Sequence, residues 1–174
     1  MEMSVLIAFF SRAGENYFKG AYRYVKVGNT EIVARKIAEL TGADTFKIEM
    51  KQPYADDYET CIAEAKADLK KDARPELLAL PESLDEYDTV ILMYPNYWGT
   101  CPMAVITFLE KFDFSGKTIL PLCTHEGSGM GSSEKTILKH AKGAAVKEGL
   151  PIHGSSSEDA KPAAEKWLKK HNII

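Results

Sequence analysis

Val5-Leu6-Ile7-Ala8-Phe9-Phe10-Ser11-Arg12-Ala13-Gly14, followed at a distance by Gly28-Asn29-Thr30 and the spaced apolar set Ile32, Val33, Ile37 and Leu40, is the part of the sequence whose reading decides the fold. Six unbroken apolar residues describe a strand covered on both faces, and Gly-Asn-Thr ahead of a 3.6-residue period marks a helix start. Residues 4–41 are therefore predicted as strand, loop, helix. The first turn of such a helix has unpaired N–H groups and a partial positive charge, and together these attract an anion such as a phosphate. Ser11, Asn29 and Thr30 can add polar donors, and Gly28 permits close backbone approach. The same residues also suit a plain reading, with Asn29 as a helix cap and Ser11 as a strand end.

Outward from this unit the chain repeats the pattern. Asp44 to Glu49 alternates like an edge strand with one wetter face, and Tyr58, Ile62, Ala65 and Leu69 give an amphipathic helix between Asp56 and Ala73. Thr89 to Tyr94 is a second buried strand, stopped by Pro95-Asn96-Tyr97-Trp98-Gly99. A helix from Pro102 to Phe112 follows. Lys117 to Cys123 is a third buried strand, although Pro121 removes one ladder donor from its middle. A Gly/Ser-rich loop spans Thr124 to Ser132, and helical spacing resumes at Ile137 and Leu138. Ala144-Ala145-Val146 is a last short strand continuing toward Ile152, and a helix through Ala164, Trp167 and Leu168 ends the sequence. Five strands alternating with five helices predict an α/β three-layer sandwich around a five-stranded parallel sheet of order 2-1-3-4-5, with residues 1–174 as one domain.

Composition narrows the class. The chain has 174 residues, 45% of them apolar and 27% charged, which excludes a disordered or fibrous protein. A net charge of −3, with basic and acidic residues interleaved, gives no footprint for nucleic acid. No apolar run is long enough to span a membrane. Met1-Glu2-Met3-Ser4 lacks a basic lead, so no signal peptide and a cytoplasmic location are expected. Cys61, Cys101 and Cys123 are odd in number and show no Cys-x-x-Cys spacing, so buried free thiols are expected rather than a disulfide or zinc site.

In a sheet of this kind the ligand lies at the carboxyl ends of the strands, where the strand order reverses. Three loops leave those ends: Ser11 to Asn29, Pro95 to Gly99, and Thr124 to Gly131. They offer a helix N-terminus, two large aromatics, and Thr-His-Glu-Gly-Ser-Gly, a set suited to a phosphorylated ligand with a flat ring system. These residues resemble the flavodoxin family. Ser11-Arg12 with Gly28-Asn29-Thr30 is similar to the flavodoxin phosphate-loop motif, Ser/Thr-x-Thr-Gly-x-Thr, split by an insertion and with Ala13 where the motif has threonine. Tyr94-Pro95-Asn96-Tyr97-Trp98-Gly99 resembles the flavin-stacking loop, and Thr124-His125-Glu126-Gly127-Ser128-Gly129 the third loop in a branch of flavodoxin-like proteins. The resemblance implies a flavodoxin-like fold and FMN as cofactor. Ser11, Arg12, Gly28, Asn29 and Thr30 would surround the phosphate, and Pro95, Asn96, Tyr97, Trp98, Gly99, Thr124, His125, Glu126, Gly127, Ser128 and Gly129 the ring.

Function then divides between electron transfer to a redox partner protein and an NAD(P)H-dependent FMN or quinone reductase using the same site; a flavin-free interaction module is the further alternative. His125 is the candidate proton donor, since its pKa lies near neutrality. His140, His153 and His171 read as surface or structural. The inserted segment 13–27, with its mixed aromatic and basic residues, reads as a small hairpin packing on itself, or as a cover for the ring or a dock for an anionic partner. Rival uses of the architecture lack their residues. A phosphorelay receiver needs carboxylates where Phe9, Phe10 and Ser11 stand, a dinucleotide-binding domain needs Gly-x-Gly-x-x-Gly, and a serine hydrolase needs Gly-x-Ser-x-Gly.

Overall fold

Alternation along the central strands sorts their side chains into two cores. In β1 (Val5–Phe9), Leu6 and Ala8 face one side with the following Phe10, and Ile7 and Phe9 face the other. β5 (Thr89–Pro95) repeats this with Val90, Leu92 and Tyr94 against Ile91 and Met93. A computed structural model describes residues 4–174; Met1, Glu2 and Met3, read above as no leader, lie outside the described residues.

The strand order is that expected. β4 (Asp44–Lys47) lies at one edge and is followed by β1, β5, β6 (Thr118–His125) and then β7 (Ala145–Val146), all parallel. The fifth position is shared by two short strands, because β8 (Leu150–His153) also pairs with β6. Pro121 accounts for the break. The carbonyls of Lys117 and Ile119 accept from Ala145 N and Lys147 N, so odd-numbered residues of β6 point their backbone groups at this edge. By the same period Pro121 presents a nitrogen without hydrogen there, opposite the gap between β7 and β8.

One core is closed by α3 (Met103–Glu110) and α4 (Ser133–His140), the other by α1 (Asn29–Thr41) and α5 (Lys161–Lys170). α1 ends at Gly42, whose φ of 68° sets the left-handed turn that returns its N–H to Ala38 O. α2 spans Tyr58–Lys71, shorter at both ends than the Asp56–Ala73 expectation, because Asp57 accepts from Thr60 N as the N-cap and Asp72 turns left-handed. Each fully buried Ile or Leu of the two cores stabilises the fold by roughly 2 kcal/mol.

The insertion forms an antiparallel hairpin, β2 (Gly14–Phe18) and β3 (Ala21–Val25). It does not pack only on itself. Glu15 N donates to Asp56 O, the Glu15 carboxylate accepts from Tyr58 N, and Tyr17, Tyr22 and Tyr58 group their rings at the start of α2. All three cysteines are buried free thiols. Among the described residues no helix is long and apolar enough to cross a membrane, and no cluster of His, Cys, Asp and Glu is placed to hold a metal ion.

Candidate functional site

A cleft of about 300 Å³ opens where the carboxyl ends of β1, β5 and β6 meet. The loops picked out in the sequence converge on it: Ser11, Arg12, Asn29, Thr30, Pro95, Asn96, Tyr97, Trp98, Gly99, Thr124, His125, Glu126 and Ser128 all line it. Gly28, Gly127 and Gly129, also expected at the site, are not among its lining residues.

The β1 to α1 connection is shaped by Gly28, which also precedes the first turn of α1. A Cβ there would come within 2.4 Å of Ser11 Oγ and 2.5 Å of Arg12 O, so no larger residue fits. Gly28 offers α1 no side-chain cap, and Ser11 Oγ supplies one by accepting from Glu31 N at 3.1 Å. Thr30, fully buried, shares a 2.7 Å hydrogen bond between hydroxyls with Thr124, fixing the first turn of α1 to the end of β6. Arg12 does not aim at an anion. Its guanidinium donates to the carbonyls of Glu15, Ala55 (2.7 Å) and Asp56 (2.6 Å), and so braces the hairpin against the loop before α2.

The other two loops are joined to each other. Asn96 N donates to Thr124 O at 2.8 Å, Asn96 Nδ2 to Gly129 O at 2.9 Å, and Asn96 Oδ1 accepts from Gly99 N at 2.9 Å. Gly131, which the sequence reading passed over, makes the closest approach of all. A Cβ on it would lie 2.1 Å from Gly99 O.

The two aromatics of the second loop diverge. Tyr97 turns inward against Phe10 and Tyr54, with its hydroxyl enclosed beside the Cys61 thiol. That burial holds the phenol well above its ordinary pKa, and neighbouring Cys61 adds to the shift. Trp98 takes a left-handed φ of 55° and stays half exposed. Its indole N–H donates to Ile62 O at 2.9 Å, and Lys66 lies 4.8 Å over its ring. Trp98 thus covers the flank of α2.

The third loop carries the titratable groups. His125 Nδ1 accepts from Gly127 N at 2.9 Å, and burial, then His153, pushes the imidazole below its ordinary pKa. Glu126 has one oxygen, Oε1, enclosed without a partner, and the other 3.8 Å from His153 Nε2. Burial raises its carboxyl, against the opposing pull of His153 and the Lys19 backbone amide at the hairpin tip. His153, read from sequence as surface or structural, therefore belongs to a constellation. It pairs in register with His125 across the β6–β8 ladder, their rings edge to face at 5.4 Å. The reading of His125 as proton donor had no view of this neighbour.

The inserted segment, one reading of which was a cover for the ring, contributes Asn16 and Tyr17 to an outer wall, and sequence reasoning missed the rest of that wall, Tyr58, Cys61, Ile62 and Ala65 of α2. The signal available was the helical spacing of Tyr58, Ile62 and Ala65, which reads equally well as core. What the cleft presents is an anion-attracting helix end at one side, aromatic and aliphatic walls beside it, and the titratable side chains of His125 and Glu126.

A family model described as flavodoxin matches residues 19–171. No curated protein sequence matches the chain. Among solved structures, a candidate flavoprotein of Bacteroides eggerthii is 25% identical over 98% of this chain and 99% of its own, with a TM-score of 0.79. A candidate flavoprotein of Bacteroides uniformis is 24% identical over 97% and 99%, with a TM-score of 0.75. A Lactobacillus acidophilus flavoprotein in complex with FMN is 15% identical over 90% and 97%, at 0.64, a likeness of fold alone.

Proposed function

The chain belongs to the flavodoxin family, and from that premise we propose that the cleft binds FMN and that the protein passes electrons through it to a redox partner. The observation that carries this reading is the first turn of α1, lined by Asn29 and Thr30, opening between the aromatic loop 95–99 and the glycine loop 124–131 in one cleft.

The residues present fit the group. Gly28 lets the Ser11-Arg12 backbone close on the helix start, which is the cradle a phosphate needs. Glu126 Oε1 is an enclosed polar atom with no protein hydrogen bond, and a buried polar atom of that kind is matched by a ligand donor. Tyr17, Tyr58 and Trp98 give the cleft flat aromatic walls. FMN, when bound, supplies the redox chemistry. The chain's part is to hold the phosphate at α1, to keep water from the cleft with the hairpin and α2, and to place His125 and Glu126 where a proton is exchanged.

Those two groups favour a second reading, an NAD(P)H-dependent reductase of quinones at the same site. A quinone accepting a hydride equivalent takes one proton as well, and His125 or Glu126 would supply it.

The visible spectrum of the purified chain before and after adding FMN tests the shared part. A two-banded flavin spectrum that survives desalting supports it; a colourless protein after desalting overturns it and leaves the interaction-module reading. Consumption of NAD(P)H with a quinone present then separates reductase from carrier.

A further inference from the structure

We propose that the free edge of β4 and the acidic connector 75–88 form a docking site, in which an extended segment of a partner protein bearing lysine or arginine adds to the sheet. The site stands toward the amino ends of β1 and β5, away from the cleft, and holds whether or not FMN is bound there.

The edge is open over a short length. Ile48 N donates to Phe9 O at 2.7 Å, so by the two-residue period Thr45 and Lys47 turn their N–H and C=O groups outward. Just beyond β4 the same edge is covered from within the chain. Leu78 N donates to Glu49 O and Lys51 N to Glu76 O, at 2.8 Å each, around the antiparallel bridge of Met50 with Leu77. Continued in that register, the pairing would bring Leu80 to Lys47 and Glu82 to Thr45. The connector leaves the edge instead, and among the described residues no backbone group meets the outward groups of Thr45 and Lys47. Where it departs, a groove of about 440 Å³ opens between connector and strand, lined by Thr45, Phe46, Pro81, Glu82, Asp85 and Glu86. A strand edge beside a groove is what an added strand needs.

Charge chooses the occupant. Residues 76–88 hold five acids and no lysine or arginine. Glu76 pairs with Lys51 at 3.2 Å, whereas Glu82, Asp85, Glu86 and Asp88 are exposed and, among the described residues, make no ion pair. Nearby cations do not cancel them from outside. Lys47 is held by Glu31 at 2.9 Å, and Lys117 is turned under the connector, donating to the carbonyls of Leu84 at 2.9 Å and Tyr87 at 2.7 Å. Leu78 and Leu80, 62% and 42% exposed, set apolar surface beside the acids. A strand that alternates basic and apolar residues satisfies both surfaces. A second copy of this chain does not, because pairing β4 with β4 about a two-fold axis sets two connectors of like charge against each other. With so short an edge, main-chain bonds alone hold little, and binding depends on salt.

The test is amide NMR of the full chain titrated with a capped Lys-Val-Lys-Val-Lys-Val peptide. Expected are shifts at Thr45, Lys47 and residues 76–87, with a dissociation constant that rises about tenfold from about 50 mM to about 300 mM salt. The Glu-Val counterpart shifts none of these amides. The Lys-Val peptide methylated at alternate backbone nitrogens keeps its charge but cannot pair, and binds at least about tenfold more weakly. Glu82→Gln, Asp85→Asn and Glu86→Gln together weaken the unmodified peptide about tenfold, and unchanged amides in β1, β5 and β6 verify that this variant folds. Equal binding of the Glu-Val or the methylated peptide overturns the proposal without any variant of the chain. Competition between FMN and the peptide would place the peptide in the cleft, and overturns it as well.

Discussion

The inner wall of the cleft, loops 95–99 and 124–131, is joined by close backbone contacts together with the Asn96 side chain, whereas the outer wall, the hairpin 14–25 with the start of α2, is attached by one backbone hydrogen bond and otherwise by side chains. On the inner side Gly131 lies so close to Gly99 that a Cβ would reach within 2.1 Å of its carbonyl, and Ser132 N donates to the same oxygen at 2.8 Å. On the outer side the attachments are one backbone bond, Glu15 N to Asp56 O, the Arg12 guanidinium, the Glu15 carboxylate and three tyrosine rings. Backbone contact has no freedom to adjust, while side-chain tethers exchange with water one at a time. The inner wall is therefore expected to be the fixed side of the cleft and the outer wall the side that opens more readily.

The largest effect that would break this contrast belongs to Gly131→Ala. The added carbon meets backbone rather than a movable side chain, and φ there is +55°. A loss of about 3 kcal/mol is expected from the clash and the left-handed backbone together. Gly129→Ala is the control, since it shares a positive φ of 63° but opens on empty space, and about 1 kcal/mol is expected. Denaturant midpoints of the two variants measure the difference. Equal losses would show that the inner loops yield as readily as the hairpin.

Arg12→Met addresses the other wall. It leaves the carbonyls of Glu15, Ala55 and Asp56 without their charged donor, a loss of about 2 kcal/mol confined to the hairpin. Hydrogen exchange of the hairpin amides should quicken about 30-fold at that energy, with the amides of β1, β5 and β6 unchanged. Quickening spread across the central sheet would place Arg12 in the fold's foundation instead.

The strands and their order were legible because a parallel sheet buried on both faces leaves continuous apolar runs, as at Val5 to Phe10 and Thr89 to Tyr94. The break between β7 and β8 was only half legible. Pro121 announced a missing donor, but not which neighbour would lose it. The inner wall could be read from residue types that have few uses, such as Pro-Asn-Tyr-Trp-Gly at a strand end. The outer wall could not, because Tyr58, Ile62 and Ala65 carry the same spacing whether they face a core or a cleft. Arg12 was assigned to the phosphate by its place in a motif, and its contacts with three carbonyls of the hairpin and the loop before α2 were not visible in that motif. His153 was invisible for another reason: twenty-eight positions from His125, it is brought alongside only by strand pairing, which no local pattern encodes.

Thr30→Val sits where the inner wall meets α1. It deletes one partner of the buried hydroxyl pair and leaves Thr124 Oγ1 unmatched, so about 1.5 kcal/mol is expected. The double variant with Thr124→Val should recover part of that loss, since an apolar pair of the same shape leaves no orphan. Simple addition of the two single losses would mean that the hydroxyls do not act together.

Tyr22→Phe carries the smallest effect. The Tyr22 hydroxyl donates to the Glu59 carboxylate, but Tyr22 is 47% exposed, so the freed carboxylate is taken up by water. A cost near 0.5 kcal/mol or less follows, because an exposed hydrogen bond exchanges with solvent at little net change. The ring is a different matter. It lies 4.9 Å from Tyr58 and within 6.4 Å of Tyr17, and Tyr22→Ala removes both contacts, for about 1 kcal/mol. Limited proteolysis at the Lys19-Gly20 turn reads both variants on one scale. If phenylalanine is as vulnerable as alanine there, the hydroxyl is the latch. If phenylalanine is as resistant as tyrosine, ring stacking on α2 is what closes the outer wall, and the hairpin opens by sliding off an aromatic surface rather than by breaking a polar bond.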